Sequence, residues 1–185
     1  MNSAILIIDM LNDFFVDGRL SDRRKELCEK INKLVDWGRK NNLKIIWIRQ
    51  EFKEDLSDAF LSMRKKQIHK TIENTEGAHI LNELNQQTND LEIVKKRYSP
   101  FYKTSLEEIL EKEGIKQLIL CGINTHACVR TTAIDAFQRD MEVIVASDCV
   151  DSYDKEHHDV SLRYLGRDIS RVLDNDQIMS QYFNF

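Results

Sequence analysis

The fold is decided by residues 117–138, which have the sequence QLILCGINTHACVRTTAIDAFQ. Residues 118–121 are apolar at consecutive positions, without the alternation of a half-exposed strand. Such a run is typical of a strand that is covered on both faces of a parallel sheet. Residues 128–138 then carry small and apolar side chains at helical spacing. The segment therefore predicts a buried strand that is followed directly by an amphipathic helix.

The same pattern recurs along the chain. Short apolar runs predict six strands, at 4–8, 44–49, 91–95, 117–122, 142–147 and, more weakly, 169–173. Helical periodicity predicts helices at 23–40, 104–113, 128–138 and 154–165. The long charged segment 51–89 is predicted to be mostly helical from its composition. Strands that alternate with helices favour an α/β fold, a three-layer α/β/α sandwich around a six-stranded parallel sheet.

Length and composition narrow the class of protein. The 185 residues are typical of one domain, 1–185, and 42% hydrophobic with 31% charged residues is typical of a globular protein. The net charge of -4 gives no basic surface for nucleic acid. The apolar runs are too short to span a membrane, and the first residues do not resemble a secretory signal. We therefore expect a cytoplasmic protein without membrane or nucleic-acid partners, whose four cysteines are thiols.

Three chemically distinct side chains follow or end predicted strands. Asp9 follows the first strand, Lys95 ends the third, and Cys128 lies just beyond the fourth. Because the carboxyl ends of parallel strands form the ligand-binding edge of such sheets, these residues can meet there. A thiol nucleophile, a cation that lowers its pKa and a carboxylate that moves its proton suit acyl transfer. For any one of them alone, a solvent-facing charge or a packed thiol is the more common explanation.

Three segments resemble the isochorismatase-like cysteine hydrolases, a family that includes nicotinamidases and other small-amide amidohydrolases. They are AILIIDMLNDF at 4–14, VKKRYSPF at 94–101 and GINTHACVRTTA at 122–133. Their order and spacing cover nearly the whole chain. The resemblance implies the isochorismatase-like variant of the Rossmann-like α/β fold.

The resemblance also implies a role for each residue. Asp9 would be the general base and acid, Lys95 the cation and Cys128 the nucleophile. Lys96 competes for the lysine role, but Lys95 stands four residues before Ser99, as in the family, and adjacent strand residues point to opposite faces. The bond between residues 123 and 124 would be cis, so that the backbone N–H groups of Asn124 and Cys128 form an oxyanion hole.

The function that the resemblance implies is hydrolysis of a C–N bond in a small carboxamide, ureido or carbamoyl compound through a thioester, without metal or cofactor. Nicotinamidases carry metal-binding histidines after the second strand, whereas residues 49–55 contain none. This departure puts nicotinamidase activity in doubt. Two alternatives stay open: an isochorismatase-type vinyl-ether hydrolase that uses Asp9 without covalent catalysis, although such members lack the cysteine, and a catalytically idle α/β binding module.

Aromatic residues near these motifs are candidates for the wall of a substrate pocket. Phe14, Tyr98 and Phe101 would line the pocket or belong to the core. His126, inside the nucleophile segment, would contact the small-molecule substrate or simply pack. The adjacent pair at 157–158 is expected to be a solvated helix start rather than a metal site. A homo-oligomer, dimer or tetramer, is expected, with the aromatic tail 182–185 in a core or an interface.

Overall fold

The fold is built on one sheet of six parallel strands. The structure, a computed structural model, describes residues 2–181. The strands are β1 (Ser3–Ile8), β2 (Lys44–Gln50), β3 (Leu91–Lys95), β4 (Gln117–Ile123), β5 (Glu142–Asp151) and β6 (Arg171–Leu173). Their spatial order is β3-β2-β1-β4-β5-β6, and every neighbouring pair is parallel. The predicted six-stranded parallel sheet is confirmed.

Helices cover both faces of this sheet. They are α1 (Gly18–Lys40), α2 (Leu61–Lys66), α3 (Leu106–Lys112), α4 (Arg130–Phe137), α5 (Lys155–Asp168) and α6 (Asn175–Gln181). Alternate residues of β1 face opposite layers, since Ile5 and Ile7 pack with α1 and α6, whereas Leu6 and Ile8 pack with α3, α4 and α5. The three-layer α/β/α arrangement follows from this double burial.

Helix α1 lies close to the sheet because its buried stripe includes a glycine. A Cβ atom at Gly38 would come within 2.4 Å of Ile5 Cδ1, so a larger residue there would require the Ile5 side chain to shift. The helix begins five residues earlier than its apolar periodicity predicts. Its first turn carries Arg19. The side chain of Arg19 is not part of the apolar stripe and is held by a hydrogen bond to Asp151.

The prediction of a mostly helical segment at 51–89 is wrong. Within it the structure contains α2 and one short 3-10 turn, Glu76–Ala78, and the rest is irregular. Its apolar residues do not form a helical stripe. Some of them form a separate small cluster, with members Phe52, Leu56, Ala59, Met63 and Ile72, whereas Leu81 and Leu84 pack in the core beside α1. Burial of this cluster anchors the segment beside the carboxyl edge of the sheet without regular backbone structure.

The connections change direction at the centre of the sheet, between β1 and β4. The chain runs outward from β1 to β2 and β3, then returns to β4 on the other side of β1. Crevices at such a switch point are the usual ligand sites of parallel sheets. At this position Gly122 approaches β1 so closely that a Cβ atom would lie 2.1 Å from Ile8 O.

Two further expectations concern the chain as a whole. Among residues 2–181, no helix has the length and apolar character needed to cross a bilayer. The four cysteines are buried free thiols. The aromatic tail at 182–185, expected in a core or an interface, lies outside the described residues.

Candidate active site

Three strand ends bring Asp9, Lys95 and Cys128 into direct contact. Lys95 Nζ donates to Asp9 Oδ2 at 2.7 Å and to Cys128 Sγ at 3.5 Å. The three residues are 1%, 0% and 5% exposed, in that order. A carboxylate, an ammonium and a thiol therefore share one buried contact at the carboxyl edge of the sheet.

The backbone at each position is unusual. Asp9 has a left-handed backbone with a φ of 53°, a conformation that costs about 1 kcal/mol or more for a non-glycine residue. Its N–H still donates to Ile48 O at 2.9 Å, which holds it against β2. The peptide bond between Ile123 and Asn124 is cis. A π-helical turn, Thr125–Val129, then carries Cys128 and leads into α4.

The two adjacent lysines are clearly separated by their contacts. Lys95 is fully buried beside Asp9, whereas the side chain of Lys96 is 37% exposed and pairs with Asp58 at 2.9 Å. Adjacent residues of a strand point to opposite faces, so one side of β3 faces the site and the other faces the irregular segment. Lys96 is thus excluded from the contact with Cys128.

Burial and neighbouring charges both shift the pKa values of Cys128 and Lys95, partly in opposite directions. Burial raises the pKa of the Cys128 thiol well above its usual range, and the Asp9 carboxylate raises it further, while Lys95 opposes both effects. For Lys95, burial is the largest single effect and lowers the pKa, but the charges of Asp9 and Cys128 and the hydrogen bonds to both together outweigh it, so that the net shift is upward. Burial and Asp9 therefore favour the thiol form of Cys128, and Lys95 favours its thiolate.

One oxygen of the ion pair is left available. Asp9 Oδ1 is buried and has no hydrogen-bond partner among residues 2–181. A buried acceptor without a partner is uncommon and costs about 1–3 kcal/mol. Gln50, the last residue of β2, contributes its Oε1 at 3.4 Å from Lys95 Nζ. The sequence analysis missed Gln50, although its position at a strand end beside β1 and β3 is the signal that selected the other three residues.

A cavity of about 480 Å³ opens onto Cys128. Of the aromatic and histidine candidates, Phe14, Tyr98 and His126 line it. Lining residues that the sequence analysis did not identify come mainly from the start of α1 and the irregular segment; they include Arg19, Gln50, Phe60, Met63, Ile68, Lys70 and Tyr153. A larger cavity, of about 750 Å³, lies at the opposite edge of the sheet and contains none of the three clustered residues.

Phe101 does not line the cavity, so its placement among the pocket residues is corrected. It is 6% exposed and belongs to the core on the α3, α4 and α5 side of the sheet. The guanidinium of Arg139 lies over its ring, 4.5 Å from the centroid. Phe101 follows Pro100 in a turn that leads away from the site, and motif proximity alone did not reveal this.

Three histidines near the site, His126, His157 and His158, differ in burial and in their contacts. His126 Nδ1 lies 3.0 Å from Ser152 Oγ, which orients the ring at the cavity wall. His157 is exposed as expected for a helix start, but His158 is half-buried, with Nδ1 at 2.9 Å from Thr125 Oγ1. The expectation that both residues are solvated is therefore wrong for His158, which contacts the turn that carries the nucleophile candidate.

The residues after β2 do not fit a metal centre of the nicotinamidase kind. Glu51 pairs with Arg49 at 2.8 Å, and Phe52 is buried in the small apolar cluster. Within residues 2–181, no three histidine, cysteine, aspartate or glutamate side chains are grouped so that they could hold an ion.

Comparison with known proteins identifies the family. The Isochorismatase domain family model matches residues 3–177, so the chain belongs to the isochorismatase family of hydrolases. A "Probable inactive nicotinamidase" of Arabidopsis thaliana is 29% identical over 169 residues, which cover 87% of this chain and 86% of that protein. Enterobactin synthase component B of Escherichia coli is 27% identical over 179 residues; the match covers 96% of this chain but only 62% of that relative.

Solved structures agree with this assignment. An isochorismatase-like hydrolase from Alkaliphilus metalliredigens superimposes with a TM-score of 0.85 at 28% identity, covering 98% of this chain and 100% of that one. N-carbamoylsarcosine amidase from Thermoplasma acidophilum gives a TM-score of 0.79 at 26% identity, covering 95% and 98%. The fold of the family and this chain's fold are therefore the same.

Proposed function

We propose that this chain is a cysteine-dependent amidohydrolase that cleaves a C–N bond in a small carboxamide, ureido or carbamoyl compound. The observation that carries the proposal is the contact of Lys95 with both Asp9 and Cys128 at the end of a cavity, with one carboxylate oxygen unpaired. Perturbed ionisable groups that meet in a cleft are typical of catalytic sites. The similarity to N-carbamoylsarcosine amidase supports the C–N bond class.

In the first half-reaction, the Cys128 thiol attacks the substrate carbonyl. Asp9 takes the thiol proton on Oδ1, the oxygen that accepts no other hydrogen bond within the described chain. The backbone N–H groups of Asn124 and Cys128 would stabilise the oxyanion. The C–N bond then breaks, Asp9 returns its proton to the nitrogen, and ammonia or an amine leaves a thioester on Cys128.

In the second half-reaction, water hydrolyses the thioester. Asp9 accepts a proton from the water, whose oxygen attacks the thioester carbonyl. When the C–S bond breaks, Asp9 returns this proton to the departing sulfur, which regenerates both the Cys128 thiol and the Asp9 carboxylate. The net reaction is amide plus water giving carboxylic acid plus ammonia. Lys95 keeps Asp9 oriented through Oδ2 and stabilises negative charge on sulfur as the proton leaves.

Two other functions are compatible with the family. A vinyl-ether hydrolase of the isochorismatase type would use Asp9 as an acid without a covalent intermediate. A catalytically idle module is the second, and one relative is itself described as a probable inactive nicotinamidase. Against an idle module stands the buried Asp9 and Lys95 pair, since hydrophobic replacements of buried ion pairs are often neutral or stabilising.

The test is ammonia release from a panel of small amides by wild type and matched alanine variants. Cys128→Ala should lower kcat at least about 10³-fold, because the covalent route is lost. Cys28→Ala is the control, since Cys28 is also a buried thiol but lies on α1 within the core. Both variants should keep the wild-type circular dichroism spectrum.

The pattern across variants separates the three functions. If Cys128→Ala keeps most of its activity while Asp9→Asn loses it, covalent catalysis is wrong and the Asp9-only route replaces it. If wild type releases no ammonia from any amide and iodoacetamide labels Cys128 no faster than Cys28, the idle module is supported.

A further inference from the structure

The wall of the cavity carries cations that the proposed mechanism does not use. Arg19 and Lys70 line the cavity that opens onto Cys128, and they come from separate parts of the chain, α1 and the irregular segment. Asp17 is the one carboxylate in the same lining, and it is exposed to solvent. Water screens the exposed charges of Asp17 and Lys70 alike, so the lining carries two cations, Arg19 and Lys70, against one carboxylate.

Arg19 is fixed in place by a buried carboxylate behind it. Its Nε and Nη2 donate to Asp151 Oδ1 at 3.2 and 2.9 Å, and Nη2 also lies 3.1 Å from Oδ2. Asp151 is 1% exposed, whereas the side chain of Arg19 is 31% exposed. Nη1 of Arg19 makes no hydrogen bond within residues 2–181 and is available to a ligand. The guanidinium is therefore fixed in position, and its Nη1 remains able to donate hydrogen bonds to a ligand.

The carboxylate of Asp151 is shared between two arginines. Arg23 Nε also donates to Asp151, at 3.0 Å, and its Nη1 pairs with the exposed carboxylate of Glu26 at 2.8 Å. Residues 18–20, the first turn of α1, all line the cavity. The positive end of the helix dipole adds positive potential there.

Lys70 supplies the second cation. Its Nζ lies 5.7 Å from the centroid of the Phe14 ring, which also lines the cavity. Lys70 is exposed and forms no ion pair with any of the described residues. An ammonium group that rests on an aromatic face and lacks a carboxylate partner is a suitable binding partner for an anion.

We infer that Arg19 and Lys70 form an anion-binding subsite, so that the substrate is a small amide that also carries a carboxylate or a comparable anionic group. The inference rests on the proposed amidohydrolase function, which it deepens by naming the substrate class. Cys128 and Gln50 face the scissile amide, the apolar side chains of Phe60, Met63 and Tyr98 contact the body of the substrate, and the two cations bind its anionic end.

The experiment compares amides of the same shape that differ in charge. The pairs are 4-carbamoylbenzoate with 4-acetylbenzamide, and succinamate with 4-oxopentanamide. Wild type should hydrolyse the anionic member with a kcat/KM about tenfold or more above that of its neutral partner, since charge-assisted hydrogen bonds are lost with the neutral one. Added salt should reduce this preference.

Three variants assign the preference to the subsite. Lys70→Gln and Arg19→Gln should each lower kcat/KM for the anionic amides about tenfold, mainly through KM, and leave the neutral amides nearly unchanged. Lys66→Gln is the matched control, because Lys66 is an exposed lysine of α2 outside the cavity lining. Lys70→Gln breaks no ion pair of the described chain, so the test holds even if Arg19→Gln fails to fold.

Binding to Cys128→Ala separates this inference from the proposed function. Calorimetry should show tighter binding of 4-carbamoylbenzoate than of 4-acetylbenzamide, and Lys70→Gln in that background should remove the difference. This result supports the subsite even if wild type hydrolyses neither amide, which would overturn only the amidohydrolase proposal. Equal binding of the two amides, or equal effects of Lys70→Gln and Lys66→Gln, would overturn the subsite.

Discussion

Two buried aspartates lie at strand ends on the same edge of the sheet, and their carboxylates differ in how fully they are paired. Asp9 follows β1 and Asp151 ends β5; each is 1% exposed. Asp151 Oδ1 accepts hydrogen bonds from Arg19 and from the backbone N–H of Ser152 at 2.8 Å, and Oδ2 accepts from Arg19 and Arg23. Both oxygens of Asp151 are thus saturated.

Asp9 is paired through one oxygen alone. Its Oδ2 accepts from Lys95, while Oδ1 lacks a partner in the described chain. Because an unpaired buried acceptor destabilises the folded state, a carboxylate that serves only stability is expected to be saturated, as Asp151 is. The free oxygen suits a residue that must take up and release a proton. The comparison therefore favours the proposed proton transfer by Asp9 and a positioning role for Asp151.

The largest expected difference between the two aspartates is in catalysis. Asp9→Asn should lower kcat for 4-acetylbenzamide about 10³-fold, because an amide can neither accept the thiol proton nor return it to the leaving nitrogen. Asp151→Asn should lower it less than about tenfold, since this neutral substrate does not need the cation that Asp151 holds. Steady-state ammonia release measures both, with circular dichroism as the control for folding. Similar losses of kcat in the two variants would contradict the different roles of the two aspartates.

The sequence predicted Asp9, Lys95 and Cys128 but not the Asp151 cluster, for a physical reason. The first three residues directly follow or end apolar runs, or lie one short turn beyond, so strand ends locate them. The predicted fifth strand ended at residue 147, whereas β5 continues to Asp151 after a register irregularity against β4. Its last residues mix polar with buried apolar side chains, and Asp151 is held by arginines that are distant in sequence.

The irregular segment 51–89 shows the same limit. Its charged composition favours a helix locally, but burial of the Phe52 cluster fixes the backbone instead. Lys70 therefore reaches the cavity through tertiary packing that no periodicity in the sequence indicates. Buried strands are predictable because their residues are apolar whatever their neighbours, whereas ion pairs and irregular loops depend on which segments the fold brings together.

The second prediction concerns stability. Here Asp151 should contribute more than Asp9 to the free energy of unfolding. Asp151→Asn should lower the free energy of unfolding by about 1–3 kcal/mol, because charged hydrogen bonds to two arginines are weakened. The double variant Asp9→Asn with Lys95→Met should be at least as stable as wild type, since it removes a buried ion pair and asparagine tolerates the left-handed backbone. Urea unfolding of both variants measures this. A double variant less stable than Asp151→Asn would show that the Asp9 pair serves stability.

The smallest expected effect lies at the edge of the Asp151 cluster and depends on pH. Burial lowers the pKa of His158 below its ordinary value of 6.5; Arg19 and Lys155 act in the same direction, and Asp151 and Asp159 oppose them. With a lower pKa in the folded state, the unfolded chain binds more protons at mildly acid pH. The stability that neutral His158 contributes is therefore complete above 6.5 and is lost as the pH falls through the folded-state pKa.

The variant His158→Gln isolates this contribution, because glutamine does not titrate and keeps a polar group near Thr125. The urea midpoint should decrease when the pH is lowered from about 7.5 to about 5.5. This decrease should be smaller in the variant than in wild type. His126, whose pKa is also lowered chiefly by burial and least by His158, is present in both proteins and contributes a nearly common slope. Equal slopes would mean that His158 is protonated as easily in the folded chain as in the unfolded chain. The Asp151 carboxylate would then stabilise the imidazolium enough to cancel the cost of burial, and its pairing would extend beyond the two arginines.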